Sequence, residues 1–538
     1  MFAKYSSFLT RSEEIVFSVL LALAASVFLL DLLSLYSTPV PDSYFWWGDE
    51  SWLMLEFRNQ MMHGVFQHPY ALASSLAHGS GIIFGNMWVP ALFYGVPAAL
   101  VSPARMDIVL LGRSVTAIFA FTLLVALYEI VRKLTLDRLL AIFSVVLLLT
   151  SRSFLLTSHS ARYDILSALT ILIGVYLLVR GGAPSVRRSV VIGILTAATL
   201  LITVHVTLAL SLAALVTVIA RSGTRWPRSL AAFVVGFVLL LILLAGISTI
   251  TGRMVILGSS GSSAFALNLH DIPALRFYSR SVQVANLAQR WNEFRTYALG
   301  YIVVFAAIVI PAIIRYVRKR GPLAIRLNVV TIVLVLVSWF EFESAAPSSY
   351  LIYILPVLSL AAGLAMKRLL AEQVRTWAIA LASIVLAVFA FRDVPGVHGK
   401  GYHLMTANAL AVGAALGEIE QTDSGKRPLV LAFNPAVHEV LRDTNMWLMT
   451  TQFIEYPTTN RSVDSVLRGA GVNYVLVYAS AIKPDYMREV GPIRAALTRM
   501  ATPIWERSGY FTDIGRSYFD TALGAPDTLR LYRLNNTK

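Results

Sequence analysis

The chain reads as a polytopic α-helical membrane protein with a soluble α/β domain at its carboxyl end, and three observations carry that reading. Hydrophobic residues make up 57% of its 538 positions and charged residues only 14%, with a mean hydropathy of +0.68, more apolar surface than a soluble domain can bury. Apolar runs near the ~20 residues needed to cross a bilayer recur from residue 15 to residue 391. After residue 392 the composition becomes that of an ordinary soluble protein. The expected division is 1–392 for the membrane part and 393–538 for an extracytoplasmic α/β domain.

The first run, 15–35, carries Asp31 near its end and has no small-residue cleavage pattern behind it, so it reads as a retained anchor rather than a signal peptide. Further runs lie near 106–131, 138–157, 164–180, 229–250, 297–317, 323–340, 348–366 and 374–391. Two regions are ambiguous. Residues 84–102 fit a span or an interfacial segment, and 189–220 fit one long helix or two short ones meeting near His205. Loop charge separates the options. If 84–102 stays in the interface and 189–220 crosses twice, the basic residues within 132–138, 180–188, 221–228, 315–320 and 367–368 share one side, as the positive-inside rule favours. That predicts about eleven spans, with interfacial helices in the first outer loop and the amino terminus in the cytoplasm.

The formal net charge of +15 does not imply nucleic acid, because the basic residues fall in short clusters between apolar runs and serve topology and lipid phosphates. With no cysteine, disulfides and thiolate metal sites are excluded. In the carboxyl-terminal part, β-type runs at 428–433 and 472–478 alternate with helical patterns at 436–442, 463–469 and 485–500, and 529–534 closes the chain, which predicts a partly parallel sheet. It holds no Gly-x-Gly-x-x-Gly or P-loop, so a nucleotide site is unsupported.

The polar residues that such a membrane protein must justify collect on the outer side of this topology. Asp49-Glu50 follow Trp46-Trp47, whose indoles favour the headgroup boundary, so the two carboxylates belong at the water edge of the bilayer. Arg58 comes next in the same loop. Arg113 sits in an otherwise apolar run, where an unpaired charge is expensive. Ala161-Arg162-Tyr163-Asp164 opens the 164–180 run, and Ser349-Tyr350-Leu-Ile-Tyr-Ile-Leu-Pro356 opens a late one.

This succession resembles the GT-C glycosyltransferases, and among them the protein O-mannosyltransferases and the aminoarabinose transferases that modify lipid A. In that family an acidic residue, commonly Asp-Glu, stands in the first outer loop. A second Asp opens a later helix after an Ala-Arg-x-Asp-like string, and a Tyr-x-x-x-x-x-Pro segment begins a late span. The resemblance covers about residues 10 to 392. It departs at Phe84-Gly-Asn-Met-Trp88, where relatives carry Lys-Pro before the Trp, and at Val204-His205-Val206, where they carry Lys-Gly.

The resemblance implies an enzyme of a bacterial cytoplasmic membrane, with its active site on the extracytoplasmic side. Its donor would be a polyprenyl-phosphate-linked sugar and its acceptor a glycan, lipid or protein; membrane lipids, not nucleic acid, are its other partners. Such a transfer needs a base for the acceptor hydroxyl and a cationic clamp for the departing phosphate. Asp49 is the expected base. Asp164 is the second catalytic carboxylate, orienting the acceptor or the clamp or helping Glu50 hold a divalent metal. Arg58 and Arg113 form the clamp, with Glu50, Arg162, His205 and Tyr350 as further donor or substrate contacts. A divalent metal ion remains an open cofactor, with Glu50 and His270 as candidate ligands.

Plainer roles exist for the same residues. Asp49 and Asp164 each suit a helix N-cap, and Arg162 could do no more than snorkel to headgroups. His205 suits a turn, and Tyr350 a boundary aromatic. Two other classes compete with the enzyme: a flippase for lipid-linked saccharides, which would show paired interrupted helices near the midplane, and a non-catalytic envelope assembly factor.

Overall fold

The computed structural model describes residues 2–37, 54, 57, 82–84, 88–100, 108–158, 160–180, 185–199, 202, 204–251, 254–256, 291, 294–295, 298–311, 314, 329–336, 348–370, 372–398, 402–423, 428–432, 447–450, 467–468, 472–479, 497–511 and 525–535. Asp49, Glu50, Arg58 and His270 lie outside these residues, and so do the side chains of His205 and Tyr350.

The membrane part begins with helix α1 (Phe2–Ser37). After strand β1 (Ile82–Phe84) comes α2, an irregular helix over 88–100 with a π turn at Ala91–Gly95. Its thirteen described residues rise ~20 Å, against the ~30 Å of a hydrocarbon core. Helix α3 (Ile108–Thr135) is long enough and leads through a tight turn into α4 (Arg138–Leu149). Asp137 caps α4, accepting from the amides of Leu139 and Leu140 at 3.0 and 3.2 Å. Every residue from Leu139 to Leu149 is buried, which makes α4 a central helix.

The apolar run at 138–157 is not one continuous helix. It breaks at Thr150-Ser151, where the Thr150 hydroxyl turns back to the Val146 carbonyl (2.8 Å) and Ser151 accepts from the Phe154 amide (3.2 Å), starting the short helix α5 (Arg152–Thr157). Side chains that bond their own backbone offer it this alternative to continuing the helix. Helix α6 (Asp164–Val179) follows.

The ambiguous stretch at 189–220 forms two helices, α7 (Val186–Ala198) and α8 (Val204–Ser222). Thr199 closes the first through its hydroxyl to the Thr196 carbonyl (2.6 Å), and a second hydroxyl contact of 2.7 Å joins it to Thr207 of α8. Helix α9 (Trp226–Thr251) crosses α7 with almost no gap: a Cβ on Gly193 would lie 2.1 Å from the Phe233 carbonyl oxygen, and one on Gly236 2.2 Å from that of Val190. Only glycine permits that backbone contact, the small-residue packing typical of helices in lipid.

Strand β2 (Met254–Ile256) pairs in parallel with β1. Helix α10 (Leu299–Val304), extended by a π turn at Phe305–Val309, a 3-10 segment at Ser348–Tyr353, α11 (Leu355–Leu369) and α12 (Glu372–His398) complete this part. Hydroxyl pairs between distant segments, Tyr301 with Ser359 (2.6 Å) and Thr217 with Thr331 (2.7 Å), satisfy polar groups that lipid would leave unbonded. Among the described residues three helical segments are long and apolar enough to cross a membrane: Arg11–Leu33, Leu110–Thr135 and Leu210–Leu243, the last interrupted by a 3-10 turn at Gly223–Arg225. Exposed leucines, isoleucines and valines on α1, α9 and α12 give these helices the apolar outer face that acyl chains require.

After α13 (Tyr402–Thr422) the chain forms a mixed sheet of β3 (Leu429–Ala432), β4 (Trp447–Thr450), β5 (Val472–Tyr478), β6 (Ala501–Phe511) and β7 (Ala525–Leu534), in the order β4-β3-β5-β7-β6. Strands β4, β3 and β5 run parallel; β7 is antiparallel to both β5 and β6. Helix α13 buries Ala411, Val412, Ala415, Leu416 and Ile419, a stripe at helical spacing. Its end is tied to β5 by the Tyr474 hydroxyl, which donates to Asp423. Burial and that bond push the Tyr474 phenol up to about 12.

Candidate active site

The Ala161–Asp164 turn sits where α2, α3, α6 and the 348–353 segment meet. Asp164 occupies the first turn of α6, yet it does not cap the helix: Tyr163 holds the cap position, without a side-chain bond. Its carboxylate is spent elsewhere. Arg162 Nε donates to Asp164 Oδ2 at 2.8 Å, and the Tyr353 hydroxyl donates to Oδ1 at 2.7 Å. The pair is almost sealed, with side chains 6% and 1% exposed. Arg162 is therefore not a headgroup snorkel.

The backbone of the turn is held as firmly. Tyr94 Oη donates to the Arg162 carbonyl at 2.7 Å and shares a 2.9 Å hydroxyl contact with Thr116, whose own hydroxyl lies 3.3 Å from the same carbonyl. Burial raises the Tyr94 phenol above its ordinary range; the Thr116 bond opposes this and the Asp164 charge adds to it. Tyr94 thus stays protonated and donates. One carbonyl oxygen fastens α2 and α3 to the head of α6.

The segment between α1 and β1 reaches the same place through residues 54 and 57. A Cβ on Gly112 would lie 2.4 Å from Met54 Sδ and 2.8 Å from Ala161 Cβ, so Gly112 marks where α3, the 161–164 turn and residue 54 touch. Phe57 stacks obliquely on Tyr94, with ring centroids 5.9 Å apart. Next to Gly112, Arg113 is fully buried and engaged with other groups. Such a charge survives in an apolar helix only with partners.

On the other side of the turn, buried Asp31 of α1 accepts from the Ser158 hydroxyl at 2.5 Å, tying α1 to the end of α5.

Of the residues singled out in the sequence, the structure brings Arg113, Arg162 and Asp164 into one buried region. His205 lies in the first turn of α8 and Tyr350 in the 3-10 segment. Tyr353, Tyr94, Thr116, Asp31 and Ser158 were missed. For Tyr353 a signal existed: a 3-10 helix repeats every three residues, so positions 350 and 353 share a face. Among the described residues no group of three or more His, Asp or Glu side chains could hold a metal ion.

A helical bundle long and apolar enough for lipid, with buried arginine and aspartate at the ends of its helices and a mixed sheet following it, has the fold of the GT-C membrane glycosyltransferases. ArnT from Cupriavidus metallidurans is a solved example that it matches along nearly its whole length. Bound to undecaprenyl phosphate, that protein superposes with a TM-score of 0.52 at 13% identity, over 96% of this chain and 98% of ArnT; in the apo state the values are 0.50 and 12%, with the same coverage. The Archaeoglobus fulgidus oligosaccharyltransferase with Zn and sulfate aligns at a TM-score of 0.47 and 13% identity, over 92% of this chain and 72% of that one. No family model and no curated protein matches the sequence. At such identities the likeness is one of fold.

Proposed function

We propose that the protein is a glycosyltransferase that moves a sugar from a polyprenyl-phosphate donor to a hydroxyl or phosphate acceptor at the outer face of a bacterial inner membrane. The observation that carries this reading is the sealed Arg162–Asp164–Tyr353 cluster beside buried Arg113, within a fold shared with a protein that binds undecaprenyl phosphate. Transfer breaks the bond between the anomeric carbon and the phosphate while the acceptor oxygen attacks that carbon. The phosphate leaves as an anion, and the acceptor's proton, if it is a hydroxyl, goes to a base.

Arg113 and Arg162 supply the cations for that anion, with Arg58 and His205 completing the clamp. Asp164 is a positioning residue in this scheme: with both its oxygens engaged, it orients the Arg162 guanidinium rather than taking a proton. The base is Asp49. It is five residues from Met54, which with Ala161 lies against Gly112, and five residues reach at most ~18 Å, less than the ~30 Å thickness of a hydrocarbon core. Glu50, Tyr350 and, if an ion takes part, His270 are the remaining candidates. The division at residue 392, with the later residues outside the membrane, belongs to the same proposal.

The test supplies purified protein with undecaprenyl-phosphate-linked sugars and envelope acceptor fractions, and measures release of undecaprenyl phosphate. Asp49→Asn is expected to abolish release while thermal stability and lipid binding persist. Near-normal release by that variant would overturn the assignment.

A further inference from the structure

A second charged cluster lies at the other end of the same helices. From Arg113 to Lys133, α3 rises ~30 Å, one hydrocarbon thickness, so the two clusters belong to opposite boundaries. There α1, the end of α3, the start of α4, the last turn of α11 and the first turn of α12 border an open pocket of about 570 Å³. Arg132, Lys133, Arg138, Lys367 and Arg375 line it, against the carboxylates of Glu13 and Asp137.

Several of these charges are already committed. Arg375 and Lys367 approach Asp137 at 2.8 and 3.8 Å, Arg132 pairs with Glu129 at 2.8 Å, and Arg138 lies 3.6 Å from Glu14. Lys133 enters none of the ion pairs seen among the described residues. An open pocket of this size with an excess of cations on its wall suits a phosphate bearing further substituents.

The rim adds an apolar element. Leu136 stands between α3 and α4 at φ +56°, 88% exposed. The left-handed region is strained for a branched-side-chain residue, and glycine or asparagine would close the turn more easily. In water, the strained and exposed leucine gains nothing. At a bilayer boundary, it meets acyl chains.

We propose that this cavity binds the phosphate of an anionic lipid headgroup, with Lys133 and Lys367 contacting the phosphate and Leu136 the start of an acyl chain. The site is separate from the one proposed for transfer.

The experiment uses the full-length protein in detergent and native mass spectrometry, with dioleoylphosphatidylglycerol, dioleoylphosphatidylcholine and inorganic phosphate as probes. Wild type is expected to retain the glycerol lipid about tenfold better than the choline lipid. The double variant Lys133→Gln with Lys367→Gln loses that preference, and Lys133→Arg with Lys367→Arg keeps it, which separates binding from folding. Leu136→Gly relieves the strain, so it weakens lipid retention without lowering thermal stability. Equal retention of the two lipids by wild type, or an undiminished preference in the Gln variant, would overturn the site. Full competition by millimolar inorganic phosphate, with no effect of Leu136→Gly, would overturn the lipid assignment in favour of free phosphate.

Discussion

Two buried aspartate–arginine pairs stand at opposite ends of the bundle, each at 2.8 Å, and they are built differently. Asp137 caps α4 with one oxygen and reaches Arg375 of α12 with the other, so a single carboxylate fastens the α3–α4 turn to a helix more than two hundred residues later. Asp164 caps nothing. It binds the arginine two positions before it and a tyrosine 189 residues away. A pair that satisfies a helix end belongs to the architecture. Under the proposed function, one that leaves the helix end uncapped and holds a guanidinium in a fixed pose serves the site.

The contrast is sharpest in substitutions. Asp137→Ala is expected to cost about 3–5 kcal/mol of stability, because it removes a cap and leaves a buried guanidinium uncompensated, while the turnover of each folded molecule is unchanged. Thermal unfolding followed together with undecaprenyl phosphate release checks both halves. Asp164→Asn keeps the shape but discards the charge and replaces one of the two acceptor oxygens with an NH2 donor. Release should fall about 100-fold, or ~2.7 kcal/mol of transition-state stabilisation, with a smaller loss of stability than Asp137→Ala produces. If Asp164→Asn instead unfolds the protein without a kinetic defect in the folded fraction, the two pairs do the same job and the distinction drawn here fails. The mildest change is Tyr353→Phe, which removes one hydroxyl from a cluster still held by Arg162. A loss of about 1 kcal/mol, near fivefold in release, is expected, and restoration of full rate by no other change than raised lipid concentration would assign Tyr353 to binding instead.

Part of this was legible in the chain: a charge inside an apolar run is so expensive in lipid that Arg113 announced itself, while Arg162 and Asp164 stood out through the Ala-Arg-x-Asp-like string that opens the 164–180 run. Hydroxyls carry no such penalty signal. Tyr353, Tyr94, Thr116 and Ser158 resemble ordinary boundary or helix residues until the fold sets them against partners far away in sequence. The β-type runs at 428–433, 472–478 and 529–534 hold strands β3, β5 and β7: short apolar runs in the first two, and strict apolar–polar alternation at the start of the third. Strand β6, with Pro503, Glu506, Arg507 and Gly509, lacks that pattern and went unnoticed; as the edge partner of β7 it has no need to be apolar on both faces. The break at Thr150-Ser151 was invisible for a similar reason, because hydropathy averages over two small polar residues that the backbone treats as a stop.

The parallel pairing of β1 with β2 spans only Ile82–Phe84 and Met254–Ile256, and β2 begins three residues after α9 ends. Three residues of ladder cannot support themselves in water. Their amides should therefore trade protons for deuterons much sooner than those of α4, and the two segments should lose protection together. Such a shared opening would make β1 and the strand that follows α9 one cooperative unit in time as well as in space.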